Sequence, residues 1–153
     1  DALVRSPFDI KEFVEDTVST FVHLHPEERI PVTLIGDSGV FLQGDEEMWR
    51  LCLINLLENA IKYSPKHSPV EVILDTTTKK PSLSIIDHGP GIALEERKKV
   101  FEAFYRLPRD KDVEGTGLGL HLVYRIVKMH GAEIQITSTA GGGATFVIDL
   151  PAN

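Results

Sequence analysis

The chain predicts a mixed α/β (α+β) domain, on three observations. Three apolar-periodic stretches carry helix caps, several short β-branched runs are bounded by turn residues, and the last two runs stand side by side as a hairpin pair. Adjacent strands of that kind disfavour a purely parallel βαβ sheet. The 153 residues fit a single domain, residues 1–153, on the usual scale of about 100 to 200 residues per domain. A chain of this length buries enough surface to need no disulfides. Cys52, the single cysteine, has no internal partner, which fits a reducing, cytoplasmic setting. No apolar run approaches the roughly 18 residues of a membrane span, so no direct membrane contact is expected of this segment. Against 16 basic residues stand 23 acidic ones, and the net charge of −7 argues against nucleic acid as a partner. A nucleotide stays open, because local dipoles override net charge.

Asp9 and Glu12 form a capping box ahead of Phe13, Val14, Val18, Phe21 and Val22, which predicts a helix over 10–24. Two short strands follow at 32–35 and 40–42, separated by the turn residues Gly36 to Gly39. Asp45 caps a long helix over 46–63, with Glu46 and Glu47 at its positive end and Pro65 closing it. Strands are read at 70–74 and 83–87, the second running into Gly89-Pro90-Gly91. Residues 94–104 read as a short helix, and the charged, proline-bearing stretch Leu107 to Glu114 completes a mobile lid over about 93–115. A helix over 117–130 is stopped by Gly131, and strands at 133–138 and 145–150 end the chain.

Within the long helix, Asn55, Asn59 and Lys62 share one face, since i, i+4 and i+7 fall together, while Leu53, Leu56, Leu57 and Ala60 face away. Amides at the margin of a core need partners. Neighbouring backbone is one source; a ligand is another, since an amide oxygen suits Mg²⁺ whose remaining ligands are water and phosphate. Lys62 would then face those phosphates; otherwise it is a solvated helix end. Asp87 ends a strand just before a glycine turn, where it either closes an Asx turn or accepts an amino group such as that of adenine. Gly115-Thr116-Gly117-Leu118-Gly119-Leu120 opens a helix, with glycines at alternate positions baring the N–H groups of an anion site; a hinge is the plainer alternative. The spacing is neither that of a Walker loop nor that of the dinucleotide fingerprint. Between the two glycine segments, Phe101 to Tyr105 read as lid anchors, and Arg106 as a surface charge or a phosphate contact.

In this order, Asn55 to Tyr63, Asp87 to Ile92, Phe101 to Arg106 and Gly115 to Leu120 resemble the N, G1, F and G2 boxes of sensor histidine kinases. The similarity runs from Phe8 to Phe146, nearly the whole chain. The resemblance implies the Bergerat ATP-binding fold: a two-layer sandwich, its mixed sheet of about five or more strands packed on about three helices, with an ATP lid. It implies ATP and Mg²⁺ as cofactors, Asn59 as the metal ligand with Asn55 nearby, and Asp87 on the adenine amine. Lys62 and Tyr63 would line the pocket, with Ile92, Phe104, Arg106, Thr116, Leu118 and Leu120 contributed by the boxes. Gly89 and Gly91 would shape the adenine side, Gly115, Gly117 and Gly119 would admit the phosphates, and Thr145 would support the adenine end. His88 stands where the family often has Asn, and Ala132 where a second glycine is common.

Relatives of this fold that hydrolyse ATP carry a glutamate base four residues before the magnesium asparagine. Here that position is Asn55, and an amide is no base near neutral pH. Phosphoryl transfer to a protein nucleophile fits better, since it needs mainly positioning and charge neutralisation. Glu58 is either an aid to catalysis or a surface carboxylate. None of the six histidines precedes Glu or Asp, as a phosphoacceptor of this family typically does. The implied partners are therefore a separate dimerisation and phosphoacceptor domain and, downstream, a response regulator. Two alternatives remain: an anti-sigma-factor-type serine kinase of the same fold, and a nucleotide-sensing module without phosphotransfer.

Overall fold

The computed structural model describes residues 3–110, 113 and 115–151. Lys111, Asp112 and Glu114 of the expected lid lie outside the described residues. Ten regular elements follow in order: β1 (Ser6–Asp9), α1 (Ile10–Leu24), β2 (Val32–Ile35), β3 (Phe41–Gly44), α2 (Glu46–Tyr63), β4 (Glu71–Asp75), β5 (Ser82–Ile86), α3 (Gly119–Met129), β6 (Glu133–Ser138) and β7 (Ala144–Asp149). A five-stranded sheet has the order β2-β4-β5-β7-β6. Only β2 and β4 pair in parallel, so the sheet is mixed. Strands β1 and β3 form a separate antiparallel pair.

Alternation along the strands makes this a two-layer sandwich. Val72, Leu74, Leu83, Ile85, Phe146 and Ile148 are buried on one face of the sheet, and their neighbours Ile73, Ser84 and Val147 are only half-buried on the other. Against the buried face pack Phe13, Val14, Val18 and Phe21 of α1, Trp49, Leu53, Leu56, Leu57 and Ala60 of α2, and Val123, Ile126 and Val127 of α3. Expected caps form. Asp9 accepts from the Glu12 N–H at 3.0 Å and Asp45 from the Met48 N–H at 3.3 Å. Cys52 is buried in this core, which pushes its thiol up to about 12 and leaves it an apolar filler.

Three segments differ from the sequence expectation. β1 was not foreseen, being four residues long and interrupted by Pro7. The expected helix over 94–104 is instead a pair of 3-10 turns, Leu94–Glu96 and Lys99–Phe101. Ala93 supplies no capping side chain, and the Phe104 N–H leaves the helical direction to donate to the Gly117 carbonyl at 2.9 Å. α3 starts at Gly119 rather than 117, because Gly117 has φ +78°, a left-handed conformation that no right-handed helix continues.

Candidate functional site

One face of α2, the C-terminal end of β5, the 3-10 segment and the start of α3 enclose a cavity of about 270 Å³. That volume is close to the lower end of small-molecule sites, about 300 to 1,000 Å³. The face of α2 presents Asn55, Glu58, Asn59, Lys62 and Tyr63 to it, as helical spacing requires. The Asn55 amide N–H donates back to the Leu51 carbonyl at 2.9 Å, so its oxygen is the group offered forward. An added Cβ on Gly119 would stand 3.1 Å from that oxygen, so α3 begins directly beside it. Lys62 reaches toward the lid, where a Cβ on Gly115 would meet its Nζ at 2.7 Å. The lid and the N-terminus of α3 thus both lie close against α2, and at Gly115 the backbone itself, at φ +146°, favours glycine.

Asp87 is only 3% exposed. Both hydrogen bonds to its carboxylate fall on Oδ1, which accepts the N–H groups of Gly89 and Ala144, each at 3.0 Å. The Asx turn is therefore real, and it fixes the carboxylate rather than consuming it: Oδ2 is left for the cavity. Gly143 makes this possible. It has φ +117°, and a Cβ there would lie 2.1 Å from the Asp87 carbonyl oxygen. The strands β5 and β7 are thereby drawn together at their ends, with Ala144 in the cavity wall.

Gly91, Ile92, Arg106, Gly115, Thr116, Gly117, Gly119 and Leu120 join the lining as expected. Four expected residues do not. Gly89 packs behind it, where a Cβ would strike the Tyr63 carbonyl oxygen at 2.2 Å. Phe104, held at φ 66°, is 70% exposed and turned to solvent, and Tyr105 takes its place. Leu118 is exposed just ahead of α3. Thr145 points to the opposite face of β7, where its hydroxyl meets that of Thr139 at 2.9 Å. Strand parity held this answer in advance, since Ala144 is in phase with the buried Phe146 and Ile148.

The lid contributes groups that local pattern did not mark. Val100, Leu107, Arg109 and Asp110 line the cavity with Tyr105. Asp110 is buried, accepts from the Arg109 guanidinium at 3.2 Å, and has its carbonyl bound by Arg106 at 2.9 Å. Burial pushes the Tyr63 phenol up, the Asp110 charge adds to this, and Arg106 and Arg109 oppose it. At the base of the lid, Arg97 donates to the carbonyls of Ile92 and Ile136 and to the Ser138 hydroxyl, which anchors the segment to the edge strand β6.

The sum is a pocket with a fixed carboxylate at one wall and amide oxygens, an ammonium and a bared helix N-terminus at another. That combination suits a base bearing an amino group joined to an anion and a hard cation. Residues 44–153 match the family described as histidine kinase-, DNA gyrase B-, and HSP90-like ATPase. Over 108 residues, 70% of this chain, it is 45% identical to the adaptive-response sensory kinase SasA of Gloeothece citriformis, of which it covers 28%. It is 36% identical to SasA of Microcystis aeruginosa over 97% of this chain and 39% of that protein. The chain thus spans well under half the length of these relatives. The mycobacterial sensor histidine kinase MprB superposes with a TM-score of 0.83 at 29% identity, covering 98% of this chain and 99% of that one. Full-length ShkA in complex with AMPPNP gives 0.81 at 26% identity, covering 99% of this chain and 32% of that one.

Proposed function

The chain belongs to the histidine kinase-, DNA gyrase B- and HSP90-like ATPase family, and from that premise we propose that it binds Mg-ATP and transfers the γ-phosphoryl group to a histidine on a separate dimerisation domain. The observation that carries this is the division of labour at Asp87: Oδ1 is saturated by two backbone N–H groups and Oδ2 is left for the cavity. A carboxylate held this way accepts a hydrogen bond from adenine's amino group and rejects a carbonyl at the same position. Asn59 would hold Mg²⁺, with Asn55 beside it, and Lys62 and the N-terminus of α3 would face the phosphates. Magnesium bound there supplies charge neutralisation for the phosphate oxygens.

Asn55 stands as an amide where hydrolytic relatives of this fold place their base for water, and the proposed acceptor is therefore a protein group that brings its own nucleophilic nitrogen. In the transfer, the bond from the γ-phosphorus to the ADP oxygen breaks as a bond to imidazole nitrogen forms. Phe104 and Leu118 stand exposed beside the cavity, the apolar surface on which an acceptor domain would dock. A response regulator would take the phosphoryl group onward, a cytoplasmic relay. The anti-sigma-type alternative predicts phosphoserine.

The test titrates Mg-ATP into the chain and into Asp87→Asn and Asn59→Ala, then supplies a histidine-bearing dimerisation domain with labelled ATP. Acid-labile label on that domain, with weakened binding in both variants, is the expected result. Acid-stable label points to a serine acceptor, and unchanged affinity in Asp87→Asn overturns the adenine assignment.

A further inference from the structure

At the end of α3 remote from the cavity, His130 is buried to 4% exposure. Its Nδ1 lies 2.8 Å from the Ile126 carbonyl oxygen, and its Nε2 lies 3.0 Å from the backbone nitrogen of Asp45. A carbonyl only accepts and a backbone N–H only donates. The two contacts together therefore fix a single state of the ring, neutral with its proton on Nδ1. The ring packs on Trp49 with centroids 4.8 Å apart. Gly44 closes over both rings: a Cβ there would stand 2.9 Å from His130 Cδ2 and 2.9 Å from Trp49 Nε1, so the imidazole has no room to swing aside.

The partners make this contact more than local packing. Asp45 is the N-cap of α2, and His130 follows the last residue of α3. One imidazole thus ties the beginning of α2 to the end of α3. Further along, the same two helices face each other across the cavity, where Gly119 abuts the Asn55 oxygen. We propose that His130 is a positioning residue for the nucleotide site: as a neutral pin it sets how α3 lies along α2, and so where the N-terminus of α3 stands against Asn55 and Asn59. This rests on the reading of the cavity as a nucleotide site. The eleven residues of α3 form a rod of about 16 Å, stiff enough to carry a shift at one end to the other.

Protonation removes the pin, because a second ring N–H would then confront the Asp45 N–H. Burial holds the His130 pKa below its ordinary value, the nearby Arg5 guanidinium acts the same way, and the Ile126 hydrogen bond and the Asp45 carboxylate oppose both. Those two charges also come from the entry segment and the α2 cap. Arg5 donates to the Met129 carbonyl at 3.1 Å, and Asp45 Oδ2 accepts the Val4 N–H at 3.2 Å. Trp49, Gly44 and Ile126 bring no charge to the ring.

The experiment compares the chain with His130→Gln and His130→Leu, measuring affinity for Mg-ATP and for adenosine by calorimetry between about pH 5.5 and 7.5. Glutamine keeps an acceptor for the Asp45 N–H and has no proton to gain. The expected result is a fall in wild-type Mg-ATP affinity on acidification that His130→Gln lacks, concentrated at the acid end of the range and at most about tenfold by pH 5.5, since the native imidazole titrates below its ordinary value. Adenosine, which lacks phosphates, loses little in either. Folded His130→Leu binds Mg-ATP at least about tenfold more weakly at every pH; if it does not fold, the comparison with His130→Gln decides. Equal pH slopes in wild type and His130→Gln overturn the proposal, as does wild-type affinity in folded His130→Leu. Absence of all nucleotide binding by the wild type would sink the nucleotide reading instead. In that event ¹⁵N NMR of His130 judges the pin itself, which stands if the Nδ1–H tautomer titrates together with the Asp45 amide and falls if it does not.

Discussion

A charge that is fully hydrogen-bonded on one oxygen and open on the other suits a recognition device, and under the proposed function Asp87 is that device. In Asp87→Asn the amide oxygen still accepts from Gly89 and Ala144, so the turn and the fold persist. Its NH2 group would face the adenine amine, donor against donor. Hydrogen bonds to charged groups contribute about 1.5 to 3 kcal/mol, so Kd for ATP should rise roughly 10- to 150-fold with the melting temperature nearly unchanged, readable by calorimetry. Adenosine should suffer the same loss, because the contact is to the base. Asn59→Ala should instead leave adenosine binding intact and remove the gain in ATP affinity that magnesium provides. The residues behind these predictions were legible in the sequence, because a turn of helix and a strand end fix their directions locally. Asp110 and Arg109 were not, since their place in the cavity depends on the lid folding back across tens of residues. Thr145 was expected at the adenine end through the family resemblance, whereas strand parity puts Ala144 in the cavity wall and turns Thr145 to the other face.

Elements here are fixed by single backbone contacts at their ends. Asp9 caps α1 and also accepts the Gly39 N–H at 2.8 Å, joining the helix to the loop before β3. Although burial works the other way, the N–H groups of Glu12 and Gly39 hold its carboxyl below the ordinary value. Asp9→Ala should cost about 1 to 2 kcal/mol, a fall of about 2 to 8 °C by differential scanning calorimetry. Gly143→Ala places a Cβ 2.1 Å from the Asp87 carbonyl at φ +117°, so β5 and β7 must part or the turn must rebuild. A loss above about 2 kcal/mol is expected, together with loss of nucleotide binding. At Gly117, φ is +78° and an added Cβ would meet Phe104 backbone at 2.8 Å. Gly117→Ala should therefore release the lid, weakening ATP binding severalfold while leaving the core transition in place, since the contact lies outside the sandwich.

On the scale of the whole molecule, stability should depend on pH through the joint at His130. Its native pKa lies below the ordinary 6.5 because it is buried. Below about pH 6.5 the unfolded chain takes up a proton that the native imidazole refuses, so stability falls on acidification with a slope of at most about 1.4 kcal/mol per pH unit from this group. Above that range the contribution is complete. Chemical denaturation of wild type and His130→Gln between about pH 5 and 8 should show this component in the former and its loss in the latter. The acidic net charge of −7 does not oppose a phosphate ligand, because the forces that would hold one are local: an ammonium, amide oxygens and a helix N-terminus.

A capping box, strand alternation and the two glycine segments determined the mixed α/β class, the three long helices and the face of α2 that meets the cavity. They did so because each is a short-range rule of geometry, and the ordered boxes together carried the family. Only the tertiary structure decided that Asp87 keeps one oxygen open, that Tyr105 rather than Phe104 turns inward, and that His130 bridges two helices. Those outcomes depend on contacts between residues such as Asp45 and His130, 85 positions apart. Such pairs exist only once the core has folded, and no local periodicity encodes which polar groups will then be brought within hydrogen-bonding distance.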